Sequence, residues 1–306
     1  MLHVYNVCGI ALGLALGAAV PAAAAPPSTQ GTRAFTVTVT GAGTRHMILI
    51  PGLLSSGQVW DPVVRQLSHR YRLHVLTVAG FAGVPAVAGP LLPRVRDDVI
   101  AYIRENRLER PVLVGHSLGA FLAIWVASNA PDLVGPIVAV DGVPFQPALN
   151  DPSTTATAME PLARQMRTLY GSMTPDQIEK QTRLALGRMI SDPAAVAVAA
   201  SWARHSDGGA AGQALYELMT TDLREAAADI RSELLLIAAA KAVESTPDAL
   251  EAVRRAYEAQ VARVTHHRVI AATRALHFVM LDDPEFLLSA MDEFLRPGTT
   301  SLPEGE

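Results

Sequence analysis

The sequence predicts an α/β fold, a mostly parallel central sheet with helices on both faces and a helical cap inserted at about 145–230. Three observations carry that prediction. Short apolar runs alternate with segments of helical periodicity along most of the chain. Most of these runs are continuous rather than polar–apolar, as expected of strands buried on both faces. From about Pro147 to Ile230 the pattern is helix-rich and holds no strand.

The elements follow in order. After a Pro/Ser/Gly-rich linker, Phe35–Thr40 alternates as a strand with one exposed face, and His46–Ile50 is a buried strand ended by Pro51-Gly52. Val59, Val63 and Leu67 share a helical stripe over Val59–His69, and Arg72–Val78 is a strand that stops at Ala79-Gly80. Leu92–Arg107 carries Val95, Val99, Ile100 and Ile103 on one helix face. Pro111–Val114 is a strand, Leu118–Asn129 a helix and Ile137–Val140 a strand. Strands resume at Leu234–Ile237, followed by a helix over Pro247–Val261, a last strand over His267–Ala271 and a closing helix over Asp283–Phe294.

Composition narrows the function classes. Half of the 306 residues are hydrophobic and 18% are charged, enough for a sizeable core. A net charge of -4 with no basic run argues against a nucleic-acid partner. Val7–Val20 is uncharged and apolar and runs into Pro21-Ala22-Ala23-Ala24-Ala25-Pro26. That pattern predicts a signal peptide over 1–25, export to the periplasm or medium, and one domain over 26–306. The apolar run is shorter than the roughly 20 residues that span a bilayer, so no stable membrane span is expected after processing. The single cysteine, Cys8, lies inside the leader, which leaves the processed chain without disulfides, a thiol nucleophile or a cysteine metal site.

The chemistry centres on Gly115-His116-Ser117-Leu118-Gly119. The serine sits between a predicted strand and a predicted helix, at the carboxyl end of a parallel strand, where ligands gather in such sheets. The stretch fits G-x-S-x-G, whose glycines leave room for a sharp turn that lifts the serine oxygen above the sheet. The helix that follows turns its first amides toward the same place. A helix-capping serine after a strand would read the same way over these few letters. With the flanking strands and helices added, the sequence resembles the α/β-hydrolase superfamily over nearly the whole chain after the leader.

The resemblance implies a serine hydrolase acting on an ester or similar acyl bond of a small molecule, with no cofactor and no metal. It implies His277 as the base, the one histidine just beyond the last strand. His116 occupies the free position of the motif, and His266 and His267 lie at the wrong end of that strand. It implies oxyanion donors at the amides of Leu118 and Leu53, the latter in a Pro51-Gly52 loop where relatives often read His-Gly. The acid departs from the common layout. In Leu235-Leu236-Ile237-Ala238-Ala239-Ala240-Lys241-Ala242 an alanine stands where the family usually carries an aspartate, whereas Asp141 ends the strand after the nucleophile helix, as in some members. Asp141 is the candidate acid, with Glu244 as the alternative. Serine at the nucleophile position argues against the aspartate-dependent chemistries of this fold. No H-E-x-x-H spacing suggests a metal, and adjacent His266 and His267 would point to opposite faces of a strand. A non-catalytic binding protein on the same fold, or a non-hydrolytic enzyme, stays open as the alternative.

Overall fold

The computed structural model describes residues 33–243 and 246–296. The segment expected to be a signal peptide, with Cys8, and the alternative acid Glu244 lie outside the described residues.

The chain begins with β1 (Phe35–Thr40) and β2 (Arg45–Ile50), then a 3-10 turn at Gly57–Trp60 that runs into α1 (Asp61–Leu67). The helix expected from Val59 thus starts as a tighter turn, because Pro62 can enter an α-helix only in its first turn. Next come β3 (Tyr71–Val78), α2 (Leu92–Glu105), β4 (Val112–His116), α3 (Leu118–Asn129) and β5 (Ile137–Val140). The cap follows as α4 (Ala156–Ser172), α5 (Pro175–Leu186), α6 (Pro193–Arg204) and α7 (Gly208–Thr220). The chain then forms β6 (Leu234–Ala239), α8 (Pro247–Val261), β7 (His267–Ala272), the single turn α9 (Val279–Asp282) and α10 (Pro284–Phe294). Asp283, expected inside the last helix, is its N-cap, accepting from the Phe286 amide.

Among the described residues seven strands form one sheet in the order β1-β3-β2-β4-β5-β6-β7. Only β1 is antiparallel, paired with β3. After β2 the chain adds β3 on one side and then crosses to add β4 on the other. The loops leaving β2 and β4 therefore diverge, and a crevice opens between them at the carboxyl ends of the strands, the preferred ligand position in such sheets.

Alternation along the strands builds a core on each face. Ile48, Ile50, Leu113 and Leu236 pack with Val95 and Val99 of α2, Phe121 of α3 and Tyr257 of α8. Met47, Leu49, Val114 and Leu235 pack with Val63 of α1 and Leu287 and Met291 of α10. Cap helices start where their sequence dictates: Thr155, Thr174, Asp192 and Asp207 each accept a first-turn amide through the side chain. The cap is tied to the body by buried Glu217 of α7, whose carboxylate accepts from the amides of Leu91 (3.0 Å) and Leu92 (2.6 Å) at the start of α2. A carboxylate there satisfies donors that the helix itself cannot and meets the positive end of its dipole. Among the described residues no helix is long and apolar enough to cross a membrane.

Candidate active site

Ser117 stands in the crevice just past β4. Its amide donates to Val140 O of the neighbouring strand (2.9 Å), and its carbonyl accepts from Ala120 and Phe121 in the first turn of α3. The backbone between these anchors turns so sharply that Ser117 takes φ 54° and ψ -119°, a conformation costing a non-glycine residue about 1–3 kcal/mol. The flanking glycines allow it. A Cβ on Gly119 would lie 2.1 Å from Ile50 O, and one on Gly115 would lie 2.1 Å from Gly119 O. Three of the six described non-glycine residues with positive φ, namely Leu54, Ser117 and Asp141, belong to the loops around this point. Strained backbone of this kind persists only where its surroundings hold it, and it clusters at functional sites.

His277 follows β7 in the turn before α9, and Asp141 follows β5 directly. The structure brings the two together: His277 Nδ1 donates to Asp141 Oδ2 at 2.5 Å, and both residues are buried. The other carboxylate oxygen, Oδ1, accepts from the Ala239 amide (2.8 Å) and the Tyr257 hydroxyl (2.6 Å). Ala239, the last residue of β6, thus supplies its amide to a carboxylate carried at the end of the neighbouring strand. Burial, reinforced by the charge of Asp141, pushes the Tyr257 phenol well above its ordinary range and keeps it a donor.

His116, at the variable position of the motif, is firmly held. It is fully buried, its Nε2–H donates to His277 O (3.1 Å), and its ring packs on those of His277 (4.6 Å) and Phe278 (4.5 Å). Burial holds its pKa well below the ordinary histidine range, with the neighbouring His277 adding to the effect. His116 is therefore neutral, and since Nε2 carries the proton, Nδ1 is a bare acceptor.

The loop after β2 closes the other wall. Gly52 presses so near that a Cβ there would be 3.0 Å from His116 Nδ1 and 3.3 Å from Ser117 Cβ. A turn between Gly52 O and the Ser55 amide, with Ser55 Oγ on Leu53 O, fixes the conformation of Leu53. Leu53 lies beside Ser117 on the cavity wall, and Leu118 opens α3 immediately after it. Among the described residues, neither of these two amides donates to a protein acceptor.

Ser117 and His277 share a cavity of about 90 Å³. The cap covers it with Met166 and Tyr170 of α4, Thr182 and Leu186 of α5, Met189, and Leu215 of α7. Phe278, next to His277, donates its amide to Met189 O (3.2 Å), which ties the histidine turn to the cap. Among the described residues no group of three or more His, Cys, Asp or Glu side chains is arranged to hold a metal ion.

The fold and the serine at the sheet crevice define an α/β-hydrolase. The model of the Alpha/beta hydrolase family matches residues 47–290, and the chain belongs to that family. It is similar to a pimeloyl-[acyl-carrier protein] methyl ester esterase from Aliivibrio salmonicida, at 33% identity over 32% of this chain and 36% of that protein. The chain thus matches well under two thirds of that relative's length. A 2-(acetamidomethylene)succinate hydrolase from Mesorhizobium japonicum is 26% identical over 81% of this chain and 87% of its own. Among solved structures, an enol-lactonase from Burkholderia xenovorans superposes with a TM-score of 0.67 at 17% identity, covering 85% of this chain and 96% of that one. A thermophilic esterase from Thermogutta terrifontis does so with a TM-score of 0.68 at 18% identity, covering 86% and 93%. These two likenesses show a shared fold.

Proposed function

We propose that the protein is a serine hydrolase that cleaves an ester or similar acyl bond through Ser117, His277 and Asp141. The observation that carries this reading is the strained Ser117 turn opening on the same cavity as His277, whose Nδ1 is held by a buried carboxylate. Ser117 Oγ attacks the acyl carbon while His277 Nε2 takes its proton, and Asp141 holds the tautomer and stabilises the imidazolium. The developing oxyanion is met by the amides of Leu53 and Leu118, donors whose removal in such sites costs about 100-fold or more in rate. Collapse passes the proton to the leaving alcohol and leaves an acyl-enzyme. Water, deprotonated by His277, then attacks the acyl carbon, and Ser117 is released with the acid product.

The family membership and the esterase and hydrolase names among its relatives favour this chemistry. Treatment with a fluorophosphonate and mass spectrometry of the adduct tests it. Rapid labelling at Ser117, absent in Ser117→Ala, is expected. A folded protein that stays unlabelled and turns over no ester defeats the mechanism and favours a binding protein on this scaffold. The apolar leader-like segment extends the proposal to an exported enzyme, which N-terminal sequencing of protein recovered outside the cytoplasm checks.

A further inference from the structure

A second concavity lies at the opposite end of the sheet from Ser117. It is a cleft of about 510 Å³ between the start of β2 and the loop that leads into β4, lined by Thr44, Arg45, His46, Arg107, Glu109 and Arg110. That size falls within the range of small-molecule sites, about 300–1,000 Å³. β4 runs from Val112 in the cleft wall toward Ser117, five residues on, so roughly 16 Å of strand separates the two places.

The first observation is charge. Three arginines and one carboxylate line the cleft, a surplus of two positive charges with His46 neutral, in a chain whose net charge is -4. Most of the described arginines are paired with a carboxylate, as Arg204 is with Asp176 and Glu179. Among the described residues Arg45, Arg107 and Arg110 form no ion pair. The second is preparation. The Arg45 guanidinium lies 5.3 Å from the centre of the Tyr71 ring and reaches Leu295 O at 3.4 Å. His46 Nδ1 shares a hydrogen bond with His74 Nε2 (2.9 Å), and His74 Nδ1 shares another with the Tyr102 hydroxyl (2.7 Å). That chain fixes the His46 ring and leaves Nε2 as its uncommitted nitrogen. Groups placed before a ligand arrives lower the ordering cost of binding it. The third is strain. Arg107 has φ 51° and Arg110 φ 39°, in the left-handed region where glycine is at ease and arginine is not. Strained backbone gathers at ligand clamps as well as at active sites.

We propose that this cleft binds the doubly charged phosphate group of a phosphate monoester, held by Arg107 and Arg110, with Arg45, the His46 Nε2–H and the Thr44 hydroxyl completing the cradle. An arginine fork meets phosphoryl oxygens in pairs. A surplus of two charges matches a dianion better than it matches a carboxylate or a phosphodiester, each of which carries one. The site stands apart from the serine chemistry and does not rest on it.

Calorimetric titration of the full protein in physiological salt with inorganic phosphate, glycerol 3-phosphate and dimethyl phosphate tests the proposal. The first two are expected to saturate one site, and the singly charged diester to bind about tenfold or more weakly. Arg107→Gln/Arg110→Gln should weaken phosphate binding by about tenfold or more, the worth of at least one hydrogen bond to a charged group. Arg107→Gly/Arg110→Gly, which suits the left-handed backbone, should show the same loss and guards against a glutamine variant that does not fold. Arg254→Gln/Arg255→Gln removes the same charge from α8 and should bind as the wild type does. Flotation with phosphatidylcholine vesicles, with and without phosphatidic acid, then identifies the source of the phosphate. Retention by phosphatidic acid that the loop variants lose makes it a lipid headgroup; binding in solution without retention makes it a soluble monoester. No saturable binding of phosphate or glycerol 3-phosphate overturns the proposal. So do equal losses in the loop and α8 variants, which reduce the effect to general electrostatics, and a diester bound as tightly as the monoester.

Discussion

His277 Nδ1 and Asp141 Oδ2 lie 2.5 Å apart although their residues are 136 positions apart in the chain. A carboxylate can only accept, so Nδ1 carries the proton of this bond, and in the neutral ring Nε2 is the acceptor that the proposed mechanism uses as its base. Asp141 follows the end of β5 and is held from behind by Ala239 and Tyr257, both on Oδ1.

Replacing Asp141 by Asn tests that arrangement at nearly constant shape. The Asn oxygen can keep the two donors that now meet Oδ1, which turns its amide N–H toward His277 and forces the opposite tautomer. On the proposed mechanism kcat falls by about 10⁴, the cost of a wrong tautomer in such a triad. Thermal unfolding should still show a folded protein. Ester turnover and the rate of fluorophosphonate labelling are the readouts; full-speed labelling of Asp141→Asn would remove Asp141 from the acid role.

Tyr257→Phe deletes one of the two donors to Oδ1 and leaves the Ala239 amide in place. A hydrogen bond to a charged group is worth about 1.5–3 kcal/mol, so unfolding by urea at neutral pH should show a loss of about 2 kcal/mol. Loosening Asp141 should also slow ester turnover by about tenfold. In an Asp141→Asn background the rate effect should shrink, because Tyr257 acts through Asp141. Additive losses in that cycle would mean the tyrosine serves packing alone.

How much of this was legible in the sequence depended on whether a residue sat at a punctuation mark. Ser117, Asp141 and His277 each follow a strand at a turn, and there the chain pattern alone places a side chain at the rim of the sheet. The strands themselves were legible because burial on both faces demands unbroken apolar runs. Tyr257 was not, since it lies on the buried stripe of α8, where an aromatic residue reads as packing and its hydroxyl contact spans 116 residues. The contact of His116 was not legible either, because its partner is a carbonyl 161 residues away, which no local spacing reports. Met166, Tyr170 and Leu215 had helical spacing that signals a core, and the cavity they line exists only once the cap folds over β4. Glu244 was an alternative only because the alanines after β6 left the usual acid position empty.

His116 holds the turn that carries His277, so on the proposed mechanism its loss should be felt as misplacement of His277. His116→Leu removes the donor from His277 O and leaves a buried carbonyl unpaired, at a cost of about 1–3 kcal/mol. Ester turnover is expected to drop about tenfold or more, with a lower melting temperature. His116→Gln can offer an N–H to the same carbonyl and should recover part of the rate. If leucine and glutamine variants lose activity equally, the ring packing on His277 and Phe278, rather than the hydrogen bond, is what positions the base.

A second histidine is expected to make stability depend on pH. His74 of β3 is buried, bonded through Nε2 to His46 (2.9 Å) and through Nδ1 to the Tyr102 hydroxyl (2.7 Å). Burial, and then the charges of His46 and Arg72, lower its pKa from 6.5 to about 4. Unfolded, the same side chain takes up a proton near pH 6.5, so between these values the unfolded state binds more protons and stability decreases as pH decreases. The loss begins as pH drops below about 6.5, is complete near pH 4, and vanishes above pH 7. With the shift discounted for solvent screening, it amounts to something on the order of 2 kcal/mol. Urea unfolding at pH 4.5, 5.5, 6.5 and 7.5, run beside His74→Phe, isolates it from the carboxylates that titrate in the same range. Wild type should lose stability relative to the variant as pH falls from 6.5, because phenylalanine has no proton to gain. Two curves that stay parallel over that window would show that His74 is protonated as readily in the folded protein as in the unfolded one.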